Sequence, residues 1–452
     1  MSLDNQTTSG KQRVGLWLES LDVLFFRDGR PFSAATRVRS GPPMPQTLAG
    51  AIWTALLRQA GCDFPRLMAT YRTKIERAHW EENLPEEEVR RRTKQAWEEA
   101  ICEAGGPKWI FQVELRGPWF ARLRQDPPAP SSAQMPPGHQ TESAYPIEFA
   151  YPELAQPGKN QSLEVLVPVP AVLYKPKGKR DGSGDGELLY ASPLPAACMP
   201  AEASRLPGWR PPLEGLRPVW IKTREDMELA SGYLTLEGLC RFLRGETPES
   251  GHLVPEAQLF DFDHRTGIGI QPDQLTSEES QIYAISLLAL QKGVGFYAEL
   301  VLPGQGAEML RQIHCLRWGG ESRNVLVEQV GKLCQWPNVQ PAEGQKPFLL
   351  LTTPGLFAQG WRPACLEGVL AAAAVPGETA VSGWDLARRG PKPARFAAAA
   401  GSVYFLHQLP TNLPEVLSDL EEDRQQGWGC YLQGVWDRCL TQYKPTAKQQ
   451  AI

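Results

Sequence analysis

The stretch Val14–Phe26, VGLWLESLDVLFF, decides the fold of this 452-residue chain. It is almost continuously apolar and rich in residues that favour extended backbone, which is typical of a central strand or strand pair. A turn follows at Arg27-Asp28-Gly29-Arg30-Pro31. Apolar residues then recur at helical spacing over Leu48–Ala60, with Thr47 as the predicted N-cap. The first unit is therefore predicted to run strand, basic loop, helix.

Similar runs continue along both halves of the chain. Further strands are predicted at Leu163–Tyr174, Ile282–Leu290, Gly295–Leu302, Phe348–Thr352 and Ser402–His407. Helices are predicted at Thr235–Leu243 and Leu413–Gln425, and an exposed helical insertion at about residues 65–105. Strands mixed with few helices indicate an α+β protein with antiparallel sheets. We expect two such domains, residues 1–250 and 251–452.

Composition narrows the class of protein. The formal net charge is −4, so any nucleic-acid contact must use local basic surfaces. Nine cysteines, an odd number without CxxC spacing, argue against disulfides and zinc. No apolar run is long enough for a signal peptide or a membrane helix. We expect a cytoplasmic protein that makes no membrane contact.

Two basic loops are candidates for RNA binding because arginine pairs with phosphate and, like aromatic rings, stacks on bases. Ordinary solubilising surface loops are the alternative, and Lys222 with Arg224 forms a weaker cluster. The candidate residues are Arg27, Arg30, Phe32, Arg37 and Arg39 in the first loop, and Trp384, Arg388, Arg389, Lys392 and Arg395 in the second.

Two glycine-containing segments are further candidates. In Arg265-Thr266-Gly267-Ile268-Gly269-Ile270, Gly267 and Gly269 would expose peptide N–H groups beside the Arg265 guanidinium. The C-terminal run contains Gly427, Gly429 and Gly434 after a predicted helix, an order opposite to that of a dinucleotide-binding fingerprint. Glycines there allow the backbone to approach a partner or a nucleotide, or simply form a tight turn.

The sequence offers little for catalysis. Asp261-Phe262-Asp263-His264 combines two carboxylates with an imidazole, but strand alternation would put both carboxylates on one face and His264 on the other. A structural histidine is therefore favoured over an acid–base pair. The sequence contains none of the nucleotide-hydrolase loop, serine-elbow or zinc-helix motifs. We expect no metal, no cofactor and no catalytic residue.

Several motifs in order carry a resemblance that covers most of the chain. They are LDVLFFRDGRPF (Leu21–Phe32), PQTLAGA (Pro45–Ala51), RTGIGI (Arg265–Ile270), GVGFYAE (Gly293–Glu299), RWGGESR (Arg317–Arg323), SGWDLAR (Ser382–Arg388) and GPKP (Gly390–Pro393). Together they resemble the family of third subunits of type III-B CRISPR (Cmr) effector complexes, in the RAMP superfamily. Arg323 joins the RNA-binding candidates through its motif.

The resemblance implies two ferredoxin-like, RRM-related domains with inserted loops and helices. It implies a subunit that caps the repeat-derived 5′ handle of the crRNA and contacts the large polymerase-like subunit and the backbone RAMP subunit. Target RNA would be met only indirectly, and catalysis would belong to other subunits. Gly427, Gly429 and Gly434 look like the glycine-rich loop of the superfamily.

Two other functions stay open at this point. Some RAMP relatives cut CRISPR repeat RNA, and His264 is the only histidine that lies within a motif here, so an endoribonuclease is the first alternative. A pure protein-interaction scaffold is the second, and it would tolerate loss of the basic loops. The leading expectation is a non-catalytic RNA-binding assembly subunit for antiviral defence.

Overall fold

The structure is a computed structural model that describes residues 10–26, 37–78, 84–125, 161–177, 187–194, 211–270, 273, 277–385 and 390–436. These residues form six α-helices and 25 strands, which confirms the α+β class. In this part of the chain no helix is both long and apolar enough to cross a membrane. The helices are α1 (Pro45–Gln59), α2 (Phe64–Ala78), α3 (Glu86–Glu103), α4 (Leu236–Leu243), α5 (Gly304–Leu310) and α6 (Glu421–Gln426).

Most strands are short, and they assemble into several sheets. Short 3-10 helices lie at Lys108–Gln112, Ser250–His252, Glu256–Gln258 and Ala364–Leu366. The strands are β1 (Lys11–Ser20), β2 (Arg37–Arg39), β3 (Glu114–Gln125), β4 (Gln161–Val165), β5 (Val167–Pro168), β6 (Leu173–Pro176), β7 (Leu189–Tyr190), β8 (Ser192–Pro193), β9 (Val219–Trp220), β10 (Met227–Leu229), β11 (Tyr233–Leu234), β12 (Leu253–Val254), β13 (Phe260–Ile270), β14 (Ser277–Leu290), β15 (Val294–Pro303), β16 (Cys315–Arg317), β17 (Asn324–Val330), β18 (Lys346–Leu351), β19 (Leu370–Ala374), β20 (Glu378–Val381), β21 (Trp384–Asp385), β22 (Gly390–Pro391), β23 (Arg395–Ala398), β24 (Val403–Leu406) and β25 (Tyr431–Trp436).

The apolar run that opens the chain forms β1, in the middle of a six-stranded sheet ordered β16-β17-β1-β15-β3-β4. Each neighbouring pair in this sheet is antiparallel. Both faces of β1 are buried: Leu16 and Leu18 belong to the core that α1 covers, and Trp17 belongs to a second cluster with Trp119 and Tyr297. The prediction of a central strand is confirmed.

Four strands of this sheet and two helices form one β-α-β-β-α-β unit along the chain. Along the chain they run β1, α1, β3, β15, α5, β17, and in space the four strands are ordered fourth, first, third, second. The helix pair α2–α3 is inserted between α1 and β3, where the sequence predicts an exposed helical insertion. A much longer insertion, residues 126–293, separates β3 from β15.

A second sheet, ordered β19-β24-β18-β25, repeats this strand order. Here the chain passes from β18 to β19 through a segment whose helical part is the 3-10 turn Ala364–Leu366. Helix α4 covers one face, where Phe242 and Leu243 pack with Phe348 and Phe405. The predicted helix over Thr235–Leu243 forms as α4, and Thr235 caps it, because its Oγ1 accepts a hydrogen bond of 3.2 Å from the Gly238 N–H.

The predicted domain boundary at residue 250 does not separate the two sheets. The large sheet contains strands from both sides of it, since β15 and β17 flank β1. Conversely, α4 precedes residue 250 but packs on the second sheet. The sheets divide between Val330 and Lys346, the end of β17 and the start of β18.

Two helix predictions need correction. Helix α1 begins at Pro45 rather than after Thr47, because the fixed φ of proline suits the first helical position. The helix predicted over Leu413–Gln425 is formed only at Glu421–Gln426. Upstream of it, the backbone N–H groups of Leu417 and Asp419 donate to the carbonyls of Gly429 and Leu356, so they make no helical hydrogen bond.

Candidate nucleic-acid interface

The first basic loop leaves and rejoins the fold at one point. The Phe26 carbonyl accepts a hydrogen bond of 3.0 Å from the Gly41 N–H, and the Ser40 hydroxyl accepts one of 2.9 Å from the Phe26 N–H. Arg27, Arg30 and Phe32 lie outside the described residues. The structure thus fixes the two ends of this loop side by side.

The returning end of the loop joins a three-stranded sheet, which we call the hairpin sheet (β2, β14 and β13). Strand β2 pairs in parallel with β14, Arg37 opposite Ala284 and Arg39 opposite Ser286, while β13 pairs with β14 in antiparallel fashion. For Arg37 only the backbone is described. This pairing brings the first basic loop to the RTGIGI segment, which lies within β13.

One face of the hairpin sheet carries a stacked row of side chains. The guanidinium carbon of the exposed Arg39 lies 3.9 Å from the centroid of the Phe262 ring. The rings of Phe262 and His264 are near parallel, with centroids 6.5 Å apart. The His264 Nδ1 is 2.8 Å from the Ser286 hydroxyl, which fixes the imidazole. Phe262 is half-buried and packs against the core, whereas Arg39 and His264 are exposed. A cation, two rings and a hydroxyl on one face can stack on bases and pair with phosphate.

The opposite face holds the paired groups of β13. The Nε and one terminal nitrogen of Arg265 donate hydrogen bonds of 3.0 and 2.7 Å to one oxygen of Asp263. This carboxylate raises the pKa of Arg265 further above its ordinary value. Asp263 and His264 therefore lie on opposite faces, as strand alternation predicts.

The two glycines of RTGIGI lie within the β13–β14 ladder. A Cβ on Gly267 would overlap the ring of Tyr283, its partner across the hairpin, so this glycine makes room for an aromatic side chain. Gly269 sits where the register shifts between Ile268 and Ile270. The structure thus places these glycines in a strand rather than in an open loop.

A tight turn reaches the base of the same loop. Residues Glu321 and Ser322 have positive φ, and the Gly320 N–H donates a 2.7 Å hydrogen bond to the Phe25 carbonyl. Arg323 pairs with Asp22 at 2.6 Å. The rings of Phe26 and Trp318 pack with centroids 4.9 Å apart. Arg323 therefore supports the loop base through an ion pair.

The second basic loop is tied to the start of α1. The Gln46 side-chain amide donates a 2.8 Å hydrogen bond to the Ser382 carbonyl, and the Lys392 N–H donates one of 2.7 Å to the Gly383 carbonyl. Lys392 is exposed, and Trp384 is described only as backbone paired with Pro391. Arg388 and Arg389 lie outside the described residues.

Arg395 is engaged within the chain. Its two terminal nitrogens donate hydrogen bonds of 2.8 and 2.6 Å to the two oxygens of Asp423, which is buried in α6. Burial raises the pKa of the Asp423 carboxyl, and Arg395 opposes that rise. This fork-shaped pair joins β23 to α6, so Arg395 has a structural role that its position in a basic run did not reveal.

Replacing Arg395 with alanine should destabilise the fold by about 2–3 kcal/mol at neutral pH, because a buried carboxylate loses its partner. The pKa of Asp423 would then lie further above its unfolded value. The protonated carboxyl favours the folded state, so the loss should shrink as pH falls from about 8 to about 5. Chemical denaturation at both pH values measures this, with the exposed Arg244→Ala as control. A loss that does not depend on pH would contradict it.

The C-terminal glycines face the chain itself. Gly427 ends α6 with φ 93°, and a Cβ there would lie 2.9 Å from the Gly117 carbonyl oxygen. A Cβ on Gly429 would lie 2.6 Å from the Ser418 nitrogen, and one on Gly434 would overlap the Phe348 ring. All three glycines are buried. The close approach that they permit is to neighbouring segments of the same protein.

Sequence reasoning did not select Phe262 or Ser286 as site residues. Phe262 lies between two carboxylates in the sequence, and Ser286 lies within an apolar strand. The available signal was alternation along β13, which puts Phe262 on the His264 face. The pairing of β2 with β14, which adds Arg39 to that face, links residues more than 200 positions apart and leaves no local pattern.

The described residues contain no group of three or more histidine, cysteine, aspartate or glutamate side chains that could hold a metal ion. The arrangement can bind and orient a polyanion through stacking and charge.

Comparisons with known proteins give the following similarities. Residues 16–436 match the family model described as CRISPR-associated protein (Cas_Cmr3). A comparison with curated proteins finds no match. A chain in a type III-B Cmr-beta complex bound to cognate target RNA is similar, with 13% identity over 87% of this chain and 86% of that chain and a TM-score of 0.41. A chain in the same kind of complex bound to cognate target RNA and AMPPnP is similar with 12% identity over 86% of each chain and a TM-score of 0.41. A Csm1–Csm4 cassette with pppApA matches at 12% identity over 89% of this chain and 100% of that chain, with a TM-score of 0.28.

Proposed function

Because this chain belongs to the Cas_Cmr3 family of CRISPR-associated proteins, we propose that it is a non-catalytic RNA-binding subunit of a type III-B effector complex. In this proposal it caps the repeat-derived 5′ handle of the crRNA. It contacts the large polymerase-like subunit and the backbone RAMP subunit, and meets target RNA only indirectly.

The observation that carries the proposal is the row of the exposed Arg39, the half-buried Phe262 and the exposed His264. Single-stranded RNA is recognised by splaying bases onto rings and guanidinium planes while cations neutralise the backbone. Arg39 already lies 3.9 Å from the Phe262 centroid, so ring and charge are presented together. A handle of constant sequence suits such a fixed platform, since guide pairing reads the variable part.

The two basic loops extend the proposed surface. The first, with Arg27, Arg30 and Phe32, leaves the fold beside the hairpin sheet, at the paired Phe26 and Gly41. The second, with Arg388, Arg389 and Lys392, is tied to the start of α1 through Gln46. The proposed RNA surface does not include Gly427, Gly429 and Gly434, because all three are buried and pack against other segments of this chain.

We further infer that each of the two sheets belongs to a ferredoxin-like domain. The strand order fourth, first, third, second, found in both, is the order that a β-α-β-β-α-β chain gives. In the second domain the irregular segment between β18 and β19 stands in for the first helix, and α4 supplies cover from earlier in the chain.

The proposal predicts that Phe262→Ala weakens binding of RNA bearing the handle by about tenfold or more, since a stacked base contributes about 1–3 kcal/mol. Arg39→Ala should weaken binding and reduce the slope of log affinity against log salt by about 0.7. Fluorescence anisotropy of the full chain with labelled handle RNA measures both.

A matched pair elsewhere on the surface provides the control. The Arg58 guanidinium carbon lies 5.4 Å from the Phe64 ring centroid, at the start of the α2–α3 insertion. Arg58→Ala and Phe64→Ala should leave affinity and salt slope unchanged. Equal losses for the two pairs would refute the proposed interface. Cleavage of the RNA that disappears in His264→Ala would instead make this chain an endoribonuclease.

A further inference from the structure

A cluster of two cations and a histidine lies at one end of the second sheet, on elements that the proposed interface does not use. Lys346 starts β18, Trp436 pairs with it at the end of β25, and His407 directly follows β24. Because neighbouring strands here are antiparallel, these three residues share one end of the sheet. The Lys346 ammonium lies 5.3 Å from the centroid of the buried Trp436 ring.

Arg217 adds a second charge over the same ring. It comes from the long insertion between β3 and β15, and its backbone N–H donates a 2.9 Å hydrogen bond to the Ala371 carbonyl in the edge strand β19. Its guanidinium carbon lies 5.2 Å from the Trp436 centroid. Both Arg217 and Lys346 lower the pKa of His407, after the larger effect of burial, so all three groups are close enough to interact.

This cluster lacks an anion within the described part of the chain. The guanidinium of Arg217 makes one long hydrogen bond, 3.4 Å to the Leu194 carbonyl, and its Nε is buried without a partner among these residues. Partial burial lowers the pKa of Arg217, because the protein gives the charged guanidinium less solvation than water does. A half-buried cation is stabilised by a paired anion, and none of the described carboxylates forms an ion pair with Arg217 or Lys346.

A cavity of about 300 Å³ adjoins the cluster, with Arg217 in its wall. Its size is at the lower end of the range for small-molecule pockets. The other walls are apolar and include the Trp361 indole and the rings of Pro212 and Pro218. The surface therefore combines a small aromatic-walled cavity with adjacent positive charge.

We propose that this cluster, Arg217, Lys346 and His407, is a second RNA contact that binds the phosphodiester backbone of single-stranded RNA, with one base in the cavity beside Trp361. Phosphate supplies the anion that Arg217 lacks, and a base supplies the flat apolar group that suits the cavity. An acidic protein segment would satisfy the charges but leave the aromatic cavity without a matching group. This site is separate from the hairpin sheet and does not depend on its role.

The test uses the full chain with Arg39→Ala and Phe262→Ala already introduced, so that binding at the hairpin sheet does not mask the second site. The probe is fluorescein-labelled decauridylate. Adding Arg217→Gln or Lys346→Gln should lower the remaining affinity roughly tenfold, since each removes a charged hydrogen-bond donor. Each should also reduce the salt slope by about 0.7. Arg244→Gln, an exposed arginine at the end of α4, is the control.

A second measurement does not depend on whether the variants fold. Ultraviolet cross-linking of the wild-type chain to decauridylate with 4-thiouridine, followed by mass spectrometry, should give adducts in peptides containing residues 211–222 or Trp361. Cross-links confined to the hairpin sheet and its loop, or affinities of both variants equal to that of the control, would overturn the proposal. So would binding of a labelled polyglutamate peptide at this cluster together with no binding of decauridylate.

Discussion

Glu299→Ala should lower the free energy of unfolding by about 2–5 kcal/mol, because it removes a buried carboxylate that accepts hydrogen bonds from three side chains, two of them buried or half-buried. Glu299 lies in β15 and is 1% exposed. Its Oε2 accepts a 2.8 Å hydrogen bond from Arg13 in β1. Its Oε1 accepts hydrogen bonds from the Tyr297 hydroxyl at 2.9 Å and the Trp336 indole N–H at 2.8 Å.

The alanine variant leaves the buried Tyr297 hydroxyl and the half-buried Trp336 indole N–H without their acceptor, and the exposed Arg13 without its carboxylate. Glu299→Gln keeps a carbonyl oxygen for Tyr297 and Trp336 but loses the charge facing Arg13. It should therefore lower the free energy of unfolding by less than Glu299→Ala does. Glu308→Ala removes an exposed pair with Arg311 and should cost less than about 0.5 kcal/mol. Urea denaturation followed by tryptophan fluorescence measures all three. A loss below about 1 kcal/mol for Glu299→Ala would mean that water replaces the carboxylate in this cluster.

Gly429→Ala should destabilise the protein by about 2–5 kcal/mol, the sum of a backbone and a packing effect. Gly429 has φ 81°, where a Cβ is strained, and an added Cβ would lie 2.6 Å from the Ser418 nitrogen. The backbone cannot move aside easily. The Gly429 N–H donates to the Pro354 carbonyl at 2.8 Å, and its own carbonyl accepts from the Leu417 N–H at 2.9 Å.

The matched control is Gly360→Ala. Gly360 has a similar φ of 72°, but nothing lies within 4 Å of an added Cβ, so only the backbone effect of about 1–2 kcal/mol remains. Thermal unfolding by calorimetry compares the two. If Gly429→Ala melts like Gly360→Ala yet loses RNA binding, the glycine acts as a contact for RNA rather than as a packing residue.

Local patterns in the sequence predicted local structure well. The apolar run at Leu16–Leu18 is buried on both faces, as its lack of alternation indicates, and the helix predicted over Thr235–Leu243 forms as α4. The opposite placement of Asp263 and His264 follows from strand periodicity alone. Such features depend on residues a few positions apart, which a single sequence displays directly.

Features that depend on distant partners could not be predicted. A run of apolar residues shows that a strand is buried, but it does not say which strand lies beside it. For this reason the boundary predicted at residue 250 falls between strands that pair in the same large sheet. Arg395 and Arg39 look alike in the sequence, yet one faces Asp423 and the other lies over Phe262. Glycines 427, 429 and 434 correctly indicated a close approach to the backbone, but the sequence did not show which segment approaches; it is the same chain in each case.

The strand order of the large sheet also constrains how the protein folds as it is synthesised. Both neighbours of β1, strands β15 and β17, lie beyond residue 293, so β1 emerges from the ribosome long before either partner exists. Throughout that interval an apolar strand with two unpaired edges is exposed, the kind of segment that aggregates or recruits a chaperone. Translation through Val330, rather than completion of any N-terminal half, is the point at which this sheet can close.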